Sequence, residues 1–411
     1  MNEVPVQAEI PQPEPDLTAS ESIARADALK PALRELQDDF EQRGYLSPDM
    51  HRRFRDAGFY RMLQPRRFGG YEFDVTTFWK TMLKVAEGDP GTGWFLTLAS
   101  HHALVIGSAF SEQAQRELFG PDGEFRAPHR PAPRGRAVAA AGGYVVTGVW
   151  DYCSGAPYST HFMGNALVEQ DGREPLNLLV VIPSDQVTML DDWGNGALLG
   201  MQSSGSNSVA VDGVFVPSHC TVEWESVRAP GPTVGAALHQ NPLYLGMLRS
   251  LYHGGLVLTM LGAAKASLDE LEETLLTKQT HRPPHIPRYQ DPDLQRAFGL
   301  ASALAASAEA LLYQVGDWYT EYGRRWFETG QVFSVEDDVR LYTMLQQAGQ
   351  LSVRAVDEVF SAASSSAARR GQRLQRYYRD VSMYRSHISA QYLSTATELA
   401  RLHFGLPTTL P

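Results

Sequence analysis

Cysteine is scarce: Cys153 and Cys220 are the only two in 411 residues. They form no Cys-x-x-Cys pair and no zinc-like spacing, so neither a disulfide framework nor a structural zinc centre underlies the fold. That usage fits a reducing cytosol. Positive charge is also short. A formal net charge of −11 argues against binding a phosphate backbone, which needs a basic face. Arginine pairs such as Arg52-Arg53 and Arg369-Arg370 are too sparse to reverse this. Long apolar runs are missing: Ala103 to Phe110 and Leu256 to Ala264 fall far short of a membrane span. Met1 to Pro15 is acidic and proline-rich, without the basic and apolar regions of a secretion signal. A cytoplasmic protein is expected. The Walker A loop and the Rossmann glycine fingerprint are absent. So is alternating βαβ patterning, which argues against a doubly wound nucleotide fold. GMQSSG lacks the Gly-x-Ser-x-Gly spacing of a nucleophile elbow.

With 43% hydrophobic and 20% charged residues, the chain reads as an ordinary globular protein of two or three domains. Residues 1–18, with four prolines, read as a disordered arm. Residues 19–124 read as helical: Leu29, Leu33, Leu36 and Phe40 make an apolar stripe. Ser47-Pro48-Asp49 starts a second helix, another begins near Asp74 or Thr76, and Asp89-Pro90-Gly91 precedes one through Trp94, Leu98 and His102. From about Phe125 the texture turns to alternation, with strands predicted at Tyr144–Val149, Leu176–Ile182 and Ser208–Val216. This defines a β-domain over 125–235. Residues 236–411 return to helical periodicity, with four long helices expected near 242–277, 291–329, 335–368 and 372–402. His281–Pro287 interrupts them, because its three prolines cannot continue a helix. The fold class is α+β: an N-terminal helical domain, a central β-barrel or sandwich, and a C-terminal four-helix bundle.

That order, and three local sequences, resemble the acyl-CoA dehydrogenase superfamily. GGYVVTGVWDYCSG (Gly142–Gly155) is similar to the strand pair that lies against the flavin ring. GMQSSGSNSVAVDGVFVP (Gly200–Pro217) resembles the Gly-Ser turn leading into a strand, and PRRFGGYEFD (Pro65–Asp74) the N-terminal Gly-Gly turn. The resemblance covers roughly residues 20 to 405. Dehydrogenases of the family need a carboxylate base. Neither of its usual settings holds one here: Tyr252 occupies one, and no Tyr-Glu-Gly follows Arg379. Instead RDVSMYRSH (Arg379–His387) resembles the oxygenase components of two-component flavin-dependent monooxygenases, where an Arg and a His eight residues on share a helix face. Gly93-Trp94, with His102 eight residues on, resembles that branch's second histidine site.

The resemblance implies a monooxygenase that takes reduced FMN or FAD from a separate NAD(P)H-dependent reductase and uses O2. It would work through a flavin C4a-hydroperoxide to hydroxylate a small aromatic or polyketide-like substrate. N-oxygenation of an amine or amino sugar, acyl-CoA desaturation and a non-catalytic scaffold stay open as alternatives. By resemblance, Ser154 contacts the flavin, His102 is a base of near-neutral pKa and His387 bonds the peroxide. Trp150, Ser204, Ser206 and Arg379 join Ser154 as flavin contacts. Arg282 is expected to reach a flavin phosphate across subunits, with Arg288 equally placed. Trp94, His101 and His129 would line the substrate pocket. The oxygenase branch often has a Ser or Asn where this chain reads Ala127-Pro128, so His129 or Arg126 stands in for that polar group. Cys153 is expected to be inert, and no metal is expected, since His281 and His285 have prolines between them and no Cys or carboxylate partner. The family implies a homotetramer.

Overall fold

A computed structural model describes residues 9–407. The N-terminal helices are α1 (Ala19–Glu35), α2 (Gln37–Arg43), α3 (Pro48–Asp56), α4 (Val75–Gly88), α5 (Pro90–Ala109) and α6 (Glu112–Phe119). Each start has a local cause. Ser47 accepts from Met50 N, Asp74 from Thr77 N and Asp89 from Thr92 N, and Pro48 and Pro90 fill first-turn positions where no N–H is needed. α5 is apolar on nearly every side because it is buried nearly all round. The expected disordered arm needs correcting. Residues 1–8 lie outside the described residues, but Glu9 pairs with Arg67 and Arg116, and Ile10 forms a β-bridge with Phe68. Two ion pairs and a bridge hold this segment on the helical domain.

The strands are β1 (His129–Ala140), β2 (Gly143–Trp150), β3 (His161–Val168), β4 (Leu176–Pro183), β5 (Thr188–Met189), β6 (Val209–Pro217) and β7 (Thr221–Glu223). They form one seven-stranded sheet in the order β5-β6-β2-β1-β3-β4-β7. All neighbours are antiparallel except β1 and β3. Trp150, wholly buried at the end of β2, organises the centre. Its Nε1 donates to Asn165 O at 2.9 Å, and its ring fills the space left by Gly135, Gly148 and Gly164. Three strands thus give up a side chain to admit one indole.

After α7 (Trp224–Arg228) and α8 (Val234–His239) come α9 (Leu248–Thr277), α10 (Pro292–Thr329), α11 (Val335–Ala362), α12 (Arg373–Arg385) and α13 (Tyr392–His403). The fourth expected helix is two. Tyr342 Oη (3.1 Å) and Gln346 Nε2 donate to Ser389 O, and Ser389 N donates to His387 Nδ1, so the chain leaves the helical path after Arg385. His387 therefore sits in the turn beyond α12 and shares no helix face with Arg379. α10, contrary to the reading of short apolar runs, is long and apolar enough to cross a membrane by composition. Its buried stripe of Ala301, Leu304, Ala308, Leu312 and Val315 faces the helical bundle, where α10 packs on α9 and α11.

Candidate active site

The site is assembled from four places that are remote in sequence: α5, the turn after β2, the segment before β6, and the turn after α12. Asp89, at the cap of α5, also accepts from Ser203 Oγ at 2.6 Å. Asp380 of α12 accepts from Met201 N at 2.6 Å. The GMQSSG segment is thereby clamped between two helices. Burial pushes the Asp380 carboxyl up to about 8, partly offset by that amide.

The clamp aligns three serines. Ser154 Oγ and Ser206 Oγ are 2.7 Å apart, Ser206 Oγ and Ser204 Oγ 2.9 Å, and Trp94 Nε1 donates to Ser154 Oγ at 3.0 Å. The other side of Trp94 meets the His387 ring edge-on, at 5.3 Å between centroids. Burial, with Arg130 nearby, pushes the His387 imidazole down to about 4. Arg130 is itself paired with Asp151. Ser154, Ser204, Ser206, Trp94 and His387 thus form one contiguous cluster.

A second cluster is built from histidines. His102 Nδ1 lies 2.7 Å from Ala127 O, so it carries the proton and donates. His102 Nε2 must then accept from His101 Nε2, 3.0 Å away. His101 Nδ1 is left as a buried acceptor without a partner among the described residues. Both nitrogens of His102 are occupied, and burial drives its imidazole well below the usual histidine range. The expectation of a near-neutral base at His102 is therefore corrected: in a dry pocket the charged form loses its solvation. The bond to Ala127 O shows that a backbone carbonyl stands where the oxygenase branch often has a polar side chain. His129 joins this cluster, whereas Arg126 turns to Glu124 and Tyr158 O.

The His101 ring is stacked on Tyr252 of α9, 4.7 Å apart and 3° from parallel. Tyr252 and the adjacent His253 line a cavity of about 350 Å³ with Trp224, Leu248, Leu256 and Tyr342. His253 is buried, its imidazole pushed down to about 3 by burial and by neighbouring His387, and its Nδ1 has no partner among the described residues. Asp338 also lines the cavity, accepting from Ser250 N (3.1 Å) and Ser250 Oγ (2.5 Å), which ties α11 to the first turn of α9. The cavity therefore runs beside both clusters.

Two expected flavin contacts are engaged elsewhere. Trp150 is fully enclosed by the sheet and has no face left for a ring. Arg379 is spent on Gln375, Leu199 O and Glu41. Arg282 is exposed in the loop beyond α9. Arg288 donates to Gln279 O and contacts His281. Cys153 is buried, and its thiol is pushed up to about 12 by burial. Sequence reasoning passed over His253, Asn165 and Arg130. Asn165 carried a readable signal, as a lone amide inside the apolar strand HFMGNALV.

Residues 255–392 match the family model described as acyl-CoA dehydrogenase, C-terminal domain. Over that C-terminal third the chain is similar to the acyl-CoA dehydrogenase superfamily. Relatives matched along nearly the whole chain include flavin-dependent monooxygenases, to which this chain is similar. It is 27% identical over 391 residues to the flavin-dependent monooxygenase oxygenase subunit HsaA of Rhodococcus jostii, covering 94% of this chain and 99% of that protein. It is 23% identical over 400 residues to the oxygenase component of p-hydroxyphenylacetate 3-hydroxylase from Acinetobacter baumannii, covering 95% and 91%. The crystal structure of 3-HSA hydroxylase from Rhodococcus sp. RHA1 superposes with a TM-score of 0.85 at 26% identity, covering 95% of this chain and 98% of that one.

Proposed function

We propose that this chain is the oxygenase component of a two-component system, hydroxylating a small aromatic compound with reduced flavin supplied by a separate NAD(P)H-dependent reductase. The observation that carries the reading is the contiguous set Ser154–Ser206–Ser204, Trp94 and His387 beside a cavity walled by Trp224, Leu248, Leu256 and Tyr252. A flavin ring needs flat apolar walls and a few placed hydroxyls, and this chain offers both. The unpartnered Nδ1 of buried His253 is a further polar group at that wall. Ser154, Ser204, Ser206 and Trp94 would hold the ring; when bound, reduced flavin supplies the electrons that activate O2.

The remaining roles belong to the protein. His387, neutral at physiological pH and accepting from Ser389 N at Nδ1, carries its proton on Nε2 and can donate one hydrogen bond without bringing a charge into the site. Trp94 fixes the Ser154 hydroxyl by donating to it, and so orients the oxygen's remaining bonds. Arg130 sets a positive potential beside His387 and His129. The histidine cluster and Trp224 exclude water from the inner wall.

Exposed Ile388, Leu393 and Phe404 on the C-terminal segments suit a homotetramer, and a cytoplasmic site of action fits the low cysteine count. The test is to bind chemically reduced FMN anaerobically and mix with oxygenated buffer in a stopped-flow spectrometer. The reading expects a transient spectrum distinct from both oxidised and reduced flavin, far outlasting the reoxidation of free flavin. Reoxidation at the free-flavin rate with both FMN and FAD would overturn it.

A further inference from the structure

Tyr252 ends a chain of hydrogen bonds that leads away from the cavity into the sheet. Its hydroxyl lies 3.1 Å from His129 Nδ1. His129 Nε2 lies 3.0 Å from Asn165 Oδ1, and Asn165 Nδ2 donates to Asn177 Oδ1 at 3.0 Å. The directions follow one from another. The Asn165 amide gives its Nδ2 protons to Asn177, so its Oδ1 faces His129 and can only accept. His129 Nε2 must therefore carry the proton, and His129 Nδ1 is left as an acceptor. Tyr252 then has to donate its hydroxyl proton to His129.

A tyrosine whose proton is committed in this way presents only oxygen lone pairs to its remaining neighbours. Burial raises the Tyr252 phenol far above its ordinary range, so it is a neutral acceptor rather than a base. The His129 imidazole is pushed down to about 4, chiefly by burial, so the imidazole stays neutral and the polarity does not reverse near pH 7. Trp224, which lines the cavity with Tyr252, packs edge-on against His129 at 5.1 Å and shields the pair from solvent.

We propose that the Tyr252 hydroxyl, polarised by His129 and Asn165, is the specificity element of the cavity and admits ligands that carry a hydrogen-bond donor on an aromatic ring. A phenol or an aromatic amine satisfies the Tyr252 oxygen. An aryl ether of the same shape leaves it buried and unpaired, a loss that binding sites of this kind register strongly. Asn165 is a positioning residue that acts through His129. The inference rests on the oxygenase reading only for what happens to the ligand after it binds.

The test is therefore calorimetric binding to the full-length, flavin-free protein, with p-cresol, p-toluidine and p-methylanisole, all neutral at pH 7.5, as probes. The expected result is that the phenol and the aniline bind about tenfold tighter than the anisole, as for one buried hydrogen bond. Tyr252→Phe should close that gap, weakening the phenol and the aniline and relieving the ether of the unpaired oxygen. Asn165→Leu should narrow it, and Asn165→Asp should restore it, because a carboxylate also accepts from His129 Nε2. Equal affinity for phenol and anisole, binding by none of the three, an aniline that behaves like the ether, or an undiminished gap in a folded Tyr252→Phe protein would each overturn the proposal. No flavin or oxygen takes part, so a negative flavin–oxygen result would leave this outcome unaffected, and the reverse holds too.

Discussion

Adding one methyl group at Gly135 should destabilise the sheet, and removing the Trp150 indole should rescue much of the loss. A Cβ on Gly135 would fall 2.5 Å from Trp150 Cη2 and closer still to Cζ2. Carbon atoms at rest sit about 3.5–4.0 Å apart, so something must shift by about 1 Å or more. The ring has little freedom to yield. Its Nε1 is bonded to Asn165 O, and Gly148 and Gly164 close on it with would-be Cβ distances of 2.9 and 3.0 Å. Gly135→Ala should therefore cost about 2 kcal/mol, within the usual range for overpacking. Trp150→Phe should cost about 3 kcal/mol, from the lost ring volume and the unpaired Asn165 carbonyl. The two positions are in contact, so the costs should not add. In the double variant the methyl enters space that the shorter ring has vacated, giving a coupling of about 2 kcal/mol. Urea midpoints of the four proteins, followed by circular dichroism, measure the cycle. If Gly135→Ala costs the same with Phe as with Trp at 150, the three-glycine socket does not exist as described.

Three other outcomes follow from the buried groups. Stability should fall as pH drops from about 6.5 to about 4. The unfolded histidines bind protons near 6.5, whereas folded His129 and His387 bind them near 4, so acid favours the unfolded state. One such ring costs on the order of 2 kcal/mol at pH 5, and thermal melts across that window should show the decline. Cys153 should resist iodoacetamide at pH 7.5 in the native protein and react once unfolded, as mass spectrometry of the labelled protein would show, because its buried thiol is raised to about 12. His102→Phe should lower stability by about 2 kcal/mol, because it strands the Ala127 carbonyl and His101 Nε2, while leaving the pH profile of turnover unchanged. A shifted profile would restore His102 as a titrating base.

The sequence carried the layer order plainly, because helical period, strand alternation and cap residues are local signals. Asp89 before Pro90 and Ser47 before Pro48 announce α5 and α3 on chemistry alone. Ser154, Trp94 and His387 were legible through family resemblance, yet nothing local predicts that Trp94 bridges the other two. The misreadings share a cause. Arg379 and His387 look like partners at helical spacing, but α11 captures Ser389 O and ends α12 between them. His102 looks like a free imidazole until Ala127 O and His101 claim both nitrogens. Trp150 sits in a flavin-facing motif but is consumed by glycines on two other strands. Each outcome depends on contacts between residues far apart in sequence, which periodicity cannot report.

The flavin ring is expected to rest against Ser154, Trp94 and His387. A crystal structure of the anaerobic complex with reduced FMN tests it most directly. The ring should lie within hydrogen-bond reach of the Ser154 hydroxyl, with Trp94 and His387 against it and the Tyr252–His253 cavity opening beside it. A ring seated elsewhere, with the three serines still bonded only to one another and to Trp94, would contradict it.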